Sequence, residues 1–216
     1  LKSNKEMDAG FLGTVKRKPL ETGSRYEFHT GFINAYPIAK NGYDNFFDVA
    51  LEGCNILLNK EITNVDMDNL NVYCGNEKFS SDLIISTVSP DFLYNNCWGE
   101  LAYVGRDFFK IVLPTKQVLP DDVYFVYYPN ENEKQTRVVE FKKFTQHKSE
   151  NSLITLEVPS MKNKLYPTMI QSQLDLANKY IESLPDNIRS VGRMGTYKYV
   201  DIDDIILQGL EFSKEL

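Results

Sequence analysis

The sequence predicts an α+β fold, on three observations. Between residues 102 and 158 four short segments (102–113, 123–128, 136–144 and 153–158) are enriched in Tyr, Phe, Val and Ile, the residues that suit a pleated, half-buried surface. Pro114, Pro120, Pro129 and Pro159 fall between these segments or at their ends, where proline does least damage to a ladder. Helical periodicity lies outside this block, and strands and helices do not alternate in the βαβ rhythm of a parallel sheet. Four strands at this spacing predict an antiparallel meander.

The elements follow in chain order. Residues 1–24 are punctuated by Gly10, Gly13, Pro19 and Gly23 and read as an irregular approach segment, with Lys16, Arg17 and Lys18 forming a solvated basic cluster. Residues 25–41 alternate aromatic and polar side chains up to a turn at Asn41-Gly42. Phe46, Phe47, Ala50 and Leu51 line one face of a short amphipathic helix, which Gly53 ends. Ile56, Leu57 and Leu58 predict a short strand. Residues 62–87 predict strand, turn, strand, with Asn69–Tyr73 extended, the turn at Gly75-Asn76, and 82–87 a buried strand closed by Pro90. After the four-strand block, Pro167 opens a helix. Its stripe is Ile170, Leu174, Ala177, Ile181 and Leu184, and Pro185 ends it. A strand near 188–192 runs into Gly192, and a last helix starts after Asp201 or Asp203.

Composition limits function. Of 216 residues, 42% are hydrophobic and 25% charged, the balance of a folded domain rather than a disordered chain. The length suits one large or two small domains. A net charge of −6 argues against a bulk nucleic-acid binder, which would carry a basic face. Cys54, Cys74 and Cys97 are too few and too scattered for a disulfide framework or a CxxC metal site, so the reading is three buried or half-buried thiols in a reducing cytosol. His29 and His147 cannot fill a histidine-rich metal site, and no metal is expected. No apolar run approaches the ~18–20 residues that span a bilayer, and no signal peptide is visible. The first residue is Leu1 rather than Met, which predicts a chain trimmed from something longer.

Two segments can carry chemistry. Arginine is scarce, six against 18 lysines, and arginine is the side chain that grips phosphate with a planar fork. Arg137 lies in the predicted strand Thr136-Arg-Val-Val-Glu-Phe-Lys, where alternation puts Arg137, Val139 and Phe141 on one face. There it either pairs a carboxylate or lines a pocket. The second segment is Val191-Gly-Arg-Met-Gly-Thr-Tyr-Lys-Tyr-Val-Asp-Ile-Asp-Asp204, a strand running through glycines into acids that open a helix. Such a helix start can receive a phosphate or an electron-rich ring atom, or it can simply be capped by Asp201 or Asp203. No GxGxxG, GxxxxGK[ST] or HExxH is present, and neither histidine lies in a nucleophile context.

Gly192-Arg-Met-Gly-Thr-Tyr-Lys-Tyr-Val-Asp-Ile-Asp resembles the C-terminal signature of the UDP-galactopyranose mutases, of the form GRLGTYxYLDMD. Other segments agree in order. Thr136-Arg-Val-Val-Glu-Phe-Lys-Lys-Phe resembles the family's TRITEHKYF strand, and Leu165-Tyr-Pro its step before the late helix. Leu83-Ile-Ile-Ser-Thr-Val-Ser-Pro-Asp resembles its strand ending in a glycine-proline turn beside the flavin, and Gly99-Glu-Leu-Ala-Tyr its GxLxY piece. Arg25 through Tyr43 resembles the loop ahead of a short helix. The resemblance covers roughly residues 25–212.

The resemblance implies a twisted antiparallel sheet with flanking helices, plus a C-terminal strand–helix piece of an FAD-binding domain. It implies an irregular segment at 1–24, a loop, helix and strands bordering the FAD domain at 25–98, a substrate-binding sheet at 99–165, and a helix with the return to the FAD domain at 166–216. The N-terminal FAD-binding region would be missing from this chain, which would then not retain FAD alone. The implied reaction interconverts pyranose and furanose forms of a UDP-sugar, UDP-galactose, by nucleophilic attack of reduced flavin at the anomeric carbon. The flavin is the nucleophile, and no protein residue is assigned as catalytic.

By the same resemblance Arg25 and Arg137 clamp the diphosphate, and Tyr166 and Tyr199 donate hydroxyls to it. Tyr36 is a further substrate contact. Gly192 and Arg193 lie at the FAD diphosphate, and Asp201 and Ile202 near the sugar and the flavin ring. A cytoplasmic protein without nucleic-acid or membrane partners is implied, and a homo-oligomer is left open. Two departures stand out: Val88 or Ser89 occupies the place of the family's flavin-facing glycine, and Tyr127 that of an asparagine ten residues before the strand arginine. The alternatives are an FAD-dependent oxidoreductase of the amine-oxidase-like superfamily and a catalytically silent nucleotide-sugar-binding fragment.

Overall fold

The computed structural model describes residues 36–215, and the chain divides into two compact units. Among the described residues, the first comprises Leu57–Val104 and residues 163–215, and the second residues 36–56 and Gly105–Lys162.

The first unit begins with a three-stranded antiparallel sheet of β1 (Asn64–Asp66), β2 (Asn71–Cys74) and β3 (Glu77–Ser80). Gly75, at φ +61°, makes the β2–β3 turn. The turn at Gly75-Asn76 is therefore where the sequence puts it, but the strand that follows is β3. The later strand, β4 (Ile84–Ser86), pairs elsewhere: it lies parallel to β10 (Ile188–Ser190), with Ile84 opposite Ile188 and Ser86 opposite Ser190. Ser89 then leads into the helical turn α2 (Pro90–Leu93). The first residues of β5 (Tyr103–Leu113) pair with β9 (Tyr166–Pro167).

The late helix, α4 (Gln171–Glu182), starts four residues after Pro167, because Pro167 is itself held opposite Tyr103. Its stripe buries Ala177 and half-buries Leu174. Its deepest residue is Tyr180, which packs with Leu101, Tyr103 and Tyr197. The Tyr180 hydroxyl accepts the Trp98 N–H at 2.8 Å and donates to the Gly99 carbonyl at 2.9 Å, so burying the phenol leaves no polar atom unmatched. A second cluster joins Leu70, Leu93 and Ile188. The chain continues through α5 (Gly192–Gly195) to α6 (Ile202–Phe212). Asp201 is the N-cap of α6, and its N–H donates to Asp204 Oδ2 at 3.2 Å in a capping box.

The second unit opens with α1 (Asp44–Ala50). The predicted helix is present, but Phe46 and Phe47 are each 53% exposed, so its apolar face is not covered. Ile56, Leu57 and Leu58 form no strand and are exposed. An apolar run becomes a strand only where another strand accepts its hydrogen bonds.

The body of this unit is an antiparallel sheet in the order β6 (Phe125–Tyr127), β7 (Arg137–Glu140), β8 (Ser152–Ser160), β5. Three consecutive strands make the expected meander, but β5, first in sequence, closes on the far side of β8. The strand predicted over 136–144 ends at Glu140, and Lys142–Thr145 forms a helical turn, α3. Two lysines fold it back: Lys142 Nζ donates to the carbonyls of Ser149 (3.1 Å) and Asn151 (3.0 Å), and Lys143 Nζ to those of Leu119 (2.7 Å) and Val123 (2.9 Å). Phe141 thus lies beyond the strand, at the N-cap of α3, but it still lines the same cavity as Arg137 and Val139.

Glu140 is fully buried. Its carboxylate accepts N–H groups from Leu119 at 2.8 Å and Val118 at 3.2 Å, with Lys143 Nζ at 3.8 Å. Burial pushes its pKa up, but the Leu119 and Val118 N–H groups and Lys143 outweigh that and hold it below the ordinary 4.5. A depressed carboxylate contributes stability that is present above its unfolded pKa and lost as pH falls through its folded pKa. Glu140→Gln is therefore expected to cost about 1–3 kcal/mol at pH 7 and to flatten the fall of stability below pH 4.5, in urea unfolding at pH 7 and at pH 4.

Cys74 is half-buried, but Cys54 and Cys97 are exposed, which corrects the reading of three sheltered thiols. Cys54 follows α1 in an uncovered stretch, and Cys97 sits in the turn after α2. Among the described residues no group of His, Cys, Asp and Glu is placed to hold a metal ion, and no helix is long and apolar enough to cross a membrane.

Candidate functional site

In the second unit, antiparallel register puts Tyr127 and Glu157 directly opposite Arg137, and Phe108 opposite Glu157. Facing residues in such a ladder share one side of the sheet. One face therefore carries, in strand order, Tyr127, Arg137, Glu157 and Phe108. Arg137 Nε donates to Glu157 Oε1 at 2.9 Å, and Nη2 is ion-paired with the same oxygen at 2.7 Å. The guanidinium also lies over two rings, with Cζ 5.7 Å from the centroid of Phe125 and 5.8 Å from that of Tyr127. Burial works against its charge, but Glu157 outweighs burial and keeps its pKa above the ordinary arginine value.

Arg137 and Glu157 line a cavity of about 920 Å³ whose wall also includes Tyr36, Phe125, Phe144 and His147, a size that suits a small organic ligand. Tyr36 packs on Phe144 with ring centroids 4.5 Å apart. The two readings of Arg137 hold together: it pairs a carboxylate and it lines a pocket. Arg25 lies outside the described residues.

In the first unit the structure groups most of the remaining expected residues. Tyr166 and Tyr199 stack at 5.6 Å between centroids, 26° from parallel. Arg193 Cζ lies 5.2 Å from the Tyr166 ring and 5.1 Å from the Tyr199 ring. Arg193 donates from Nε (3.1 Å) and Nη2 (2.5 Å) to the Val200 carbonyl, and Nη2 is 4.0 Å from Asp201 Oδ1. This loop is braced from below. Tyr197, fully buried at φ +49°, sets its hydroxyl 3.1 Å from Thr168 Oγ1 and donates to the Ala102 carbonyl. Gly192, at φ +75°, donates its N–H to Gln208 Oε1 at 2.8 Å, and Ile202 is the exposed first residue of α6.

The same unit has features that fit the edge of a flat cofactor. β4 and β10 are parallel, and cofactors rest beyond the carboxyl ends of parallel strands. Gly195 sits against that end: a Cβ there would lie 2.9 Å from the Ser86 carbonyl oxygen. Ser190 Oγ, on the last residue of β10, is buried without a hydrogen bond. At the place of the family's glycine, the Ser89 hydroxyl is turned inward, bonding Asp91 and lying 2.6 Å from Tyr103 Oη. Burial pushes the Tyr103 pKa up to about 12. Val88 packs on the Leu70, Leu93 and Ile188 cluster.

A family model described as UDP-galactopyranose mutase matches residues 2–199. The chain belongs to the UDP-galactopyranose mutase family. It is 26% identical to the UDP-galactopyranose mutase of Mycoplasma pneumoniae, covering 98% of this chain and 54% of that protein. It is 28% identical to a dTDP-fucopyranose mutase of Escherichia coli, covering 96% and 54%, and 25% identical to a probable UDP-galactopyranose mutase of Klebsiella pneumoniae, covering 96% and 56%. The chain thus spans about half the length of the curated relatives it matches. A crystal structure of reduced UDP-galactopyranose mutase shares the fold, with a TM-score of 0.60 at 17% identity over 74% of this chain and 47% of that one.

Sequence reasoning missed Glu157 and Arg106. Glu157 is 2% exposed, and Arg106 Nη1 lies 3.2 Å from its Oε2. The signal for Glu157 was present: it is the one charged residue in the run Leu153-Ile-Thr-Leu-Glu-Val158.

Proposed function

We propose that this chain forms the substrate-binding sheet, and part of the flavin-binding region, of a mutase that interconverts pyranose and furanose forms of UDP-galactose. The observation that carries the reading is Arg137, ionised and fixed on the wall of a ligand-sized cavity, in a chain of this family. A guanidinium so held gives a diphosphate two or more charge-assisted hydrogen bonds. When the bond from the anomeric carbon to UDP breaks, the leaving phosphate gains negative charge, and a preorganised guanidinium stabilises that charge without reorientation.

Tyr36 stands at the same cavity as a further substrate contact, and Arg25 is assigned to the diphosphate by resemblance. Tyr166 and Tyr199 are assigned substrate hydroxyl donors, and Asp201 and Ile202 lie toward the sugar and the flavin. Gly192 and Arg193 would hold FAD, on the short turn α5 that the missing side chain of Gly195 lets pack directly on the end of β4. Reduced flavin, when bound, supplies the nucleophile for the anomeric carbon. The inward turn of Ser89 and Val88 keeps their side chains in the core, so losing the family glycine there does not by itself close the cofactor side. The rest of the FAD-binding part belongs to the remainder of the whole protein. A two-stranded parallel sheet with Ile206, Leu207 and Leu210 exposed on the adjoining α6 supports this. The setting is cytoplasmic.

The test uses the whole protein with dithionite-reduced FAD and UDP-galactose. Furanose product without oxygen uptake is expected. Steady oxygen consumption would favour the oxidoreductase alternative, and nucleotide binding with neither outcome would favour a silent binder. A dTDP-sugar assayed in parallel tells whether the nucleotide is that of the Escherichia coli relative.

A further inference from the structure

The geometry assigns Glu157 as the positioning residue of Arg137. Its carboxylate fixes the plane of the guanidinium so that the edge not engaged by the carboxylate is presented to an anionic phosphate in the cavity. This rests on the reading of Arg137 as a diphosphate ligand.

Four observations support it. Glu157 is 2% exposed and stands directly across the ladder from Arg137, so its carboxylate is held by the sheet rather than by a mobile side chain. Arg137 Nε donates to Oε1 at 2.9 Å and Nη2 lies 2.7 Å from the same oxygen, so the carboxylate meets the Nε–Nη2 edge of the fork. The Phe125 and Tyr127 rings flank the same guanidinium, so its plane is limited on more than one side. Oε2 is ion-paired with Arg106 Nη1 at 3.2 Å without a hydrogen bond, and Arg106 Nη1 donates to Thr136 Oγ1 at 2.8 Å. Glu157 thus faces the charge of one arginine while it orients the other.

The alternative role for Glu157 is charge compensation, and the two roles predict opposite signs. Two guanidinium groups around one carboxylate carry a net charge of +1. Replacing Glu157 with glutamine raises that to +2 in nearly the same shape. If Glu157 only neutralised its neighbours, the more positive wall would hold a diphosphate more tightly. If it positions Arg137, the gain in charge comes with a loosely oriented fork that must be ordered on binding, and affinity falls.

The experiment is calorimetric titration of the full chain with UDP, for the native protein, Glu157→Gln and Arg137→Ala. It is combined with arginine Nε–H nuclear magnetic resonance spectra. The expected result is a five- to tenfold weaker UDP affinity for Glu157→Gln, with loss or broadening of the Arg137 Nε–H signal that UDP shifts in the native protein. Unchanged or tighter UDP binding by folded Glu157→Gln, alongside a large loss for Arg137→Ala, overturns the positioning role and leaves the phosphate reading intact. If Arg137→Ala has no effect on UDP, the phosphate reading itself is overturned. Should circular dichroism show that Glu157→Gln does not fold, Glu157→Asp takes its place. It keeps the charge but retracts the carboxylate by one methylene. A three- to fivefold weakening supports positioning, and unchanged affinity overturns it.

Discussion

Arg137→Ala is expected to weaken UDP binding by about 10- to 150-fold, corresponding to the ~1.5–3 kcal/mol of a charge-assisted hydrogen bond. The magnitude follows from where the guanidinium sits. It is half-buried, ionised against Glu157, and on the wall of a cavity of about 920 Å³. A phosphate at this wall meets a donor whose orientation has already been fixed, so little ordering entropy opposes the contact.

Arg137→Lys separates charge from shape. A lysine keeps the positive charge but lacks the planar fork and cannot make the two-point contact with Glu157 Oε1. Its UDP affinity should fall between native and alanine, with a salt dependence like that of the native protein. Titration calorimetry at two ionic strengths reads both quantities. Affinity for Arg137→Ala within twofold of native would mean that the Arg137–Glu157 pair is a structural cross-strand contact with no part in binding.

The pairing of Arg137 with a carboxylate and its place on a pocket were both legible in the alternation of residues 136–142, because a strand's side-chain period is fixed at two. The partner was not. Glu157 lies twenty residues away, and only the β7–β8 register puts it opposite Arg137. The parallel pair of β4 and β10 was hidden for a similar reason. About a hundred residues, including all of β5 to β8, separate the two strands, so no βαβ rhythm marks them. The end of β7 was misread because Phe141 and Phe144 continue an aromatic pattern, whereas Lys142 and Lys143 find backbone carbonyls that favour a helical turn. The Gly192–Asp204 segment was the most legible part. Its first glycine and its helix-opening acid occupy conformations that local chemistry favours, Gly192 at positive φ and Asp201 as N-cap, whereas Tyr197 at φ +49° is held there by its burial and the Ala102 carbonyl.

Gly195→Ala is expected to destabilise the first unit by about 1–3 kcal/mol, the usual cost of forcing extra atoms into a packed site. The added methyl would stand 2.9 Å from the Ser86 carbonyl oxygen and 3.4 Å from Thr87 Cα. Those are backbone atoms at the end of β4, and the Ser86 carbonyl already accepts the Val191 N–H at 2.9 Å, so no flexible side chain can swing aside. Either α5 lifts from β4 or β4 gives way, and both loosen the Val191 contact that ties the end of β10 to β4. Because Arg193 lies two residues before Gly195 in the same short turn, a shift of α5 also moves the Arg193 guanidinium away from the Tyr166 and Tyr199 rings. Gly209→Ala is the matched control: a Cβ there meets nothing within 4 Å, and alanine is the better helix former, so its stability should equal or exceed that of the native protein. Urea unfolding of the two variants separates the effects. Equal stability for Gly195→Ala and Gly209→Ala would mean that α5 does not press on β4 in solution.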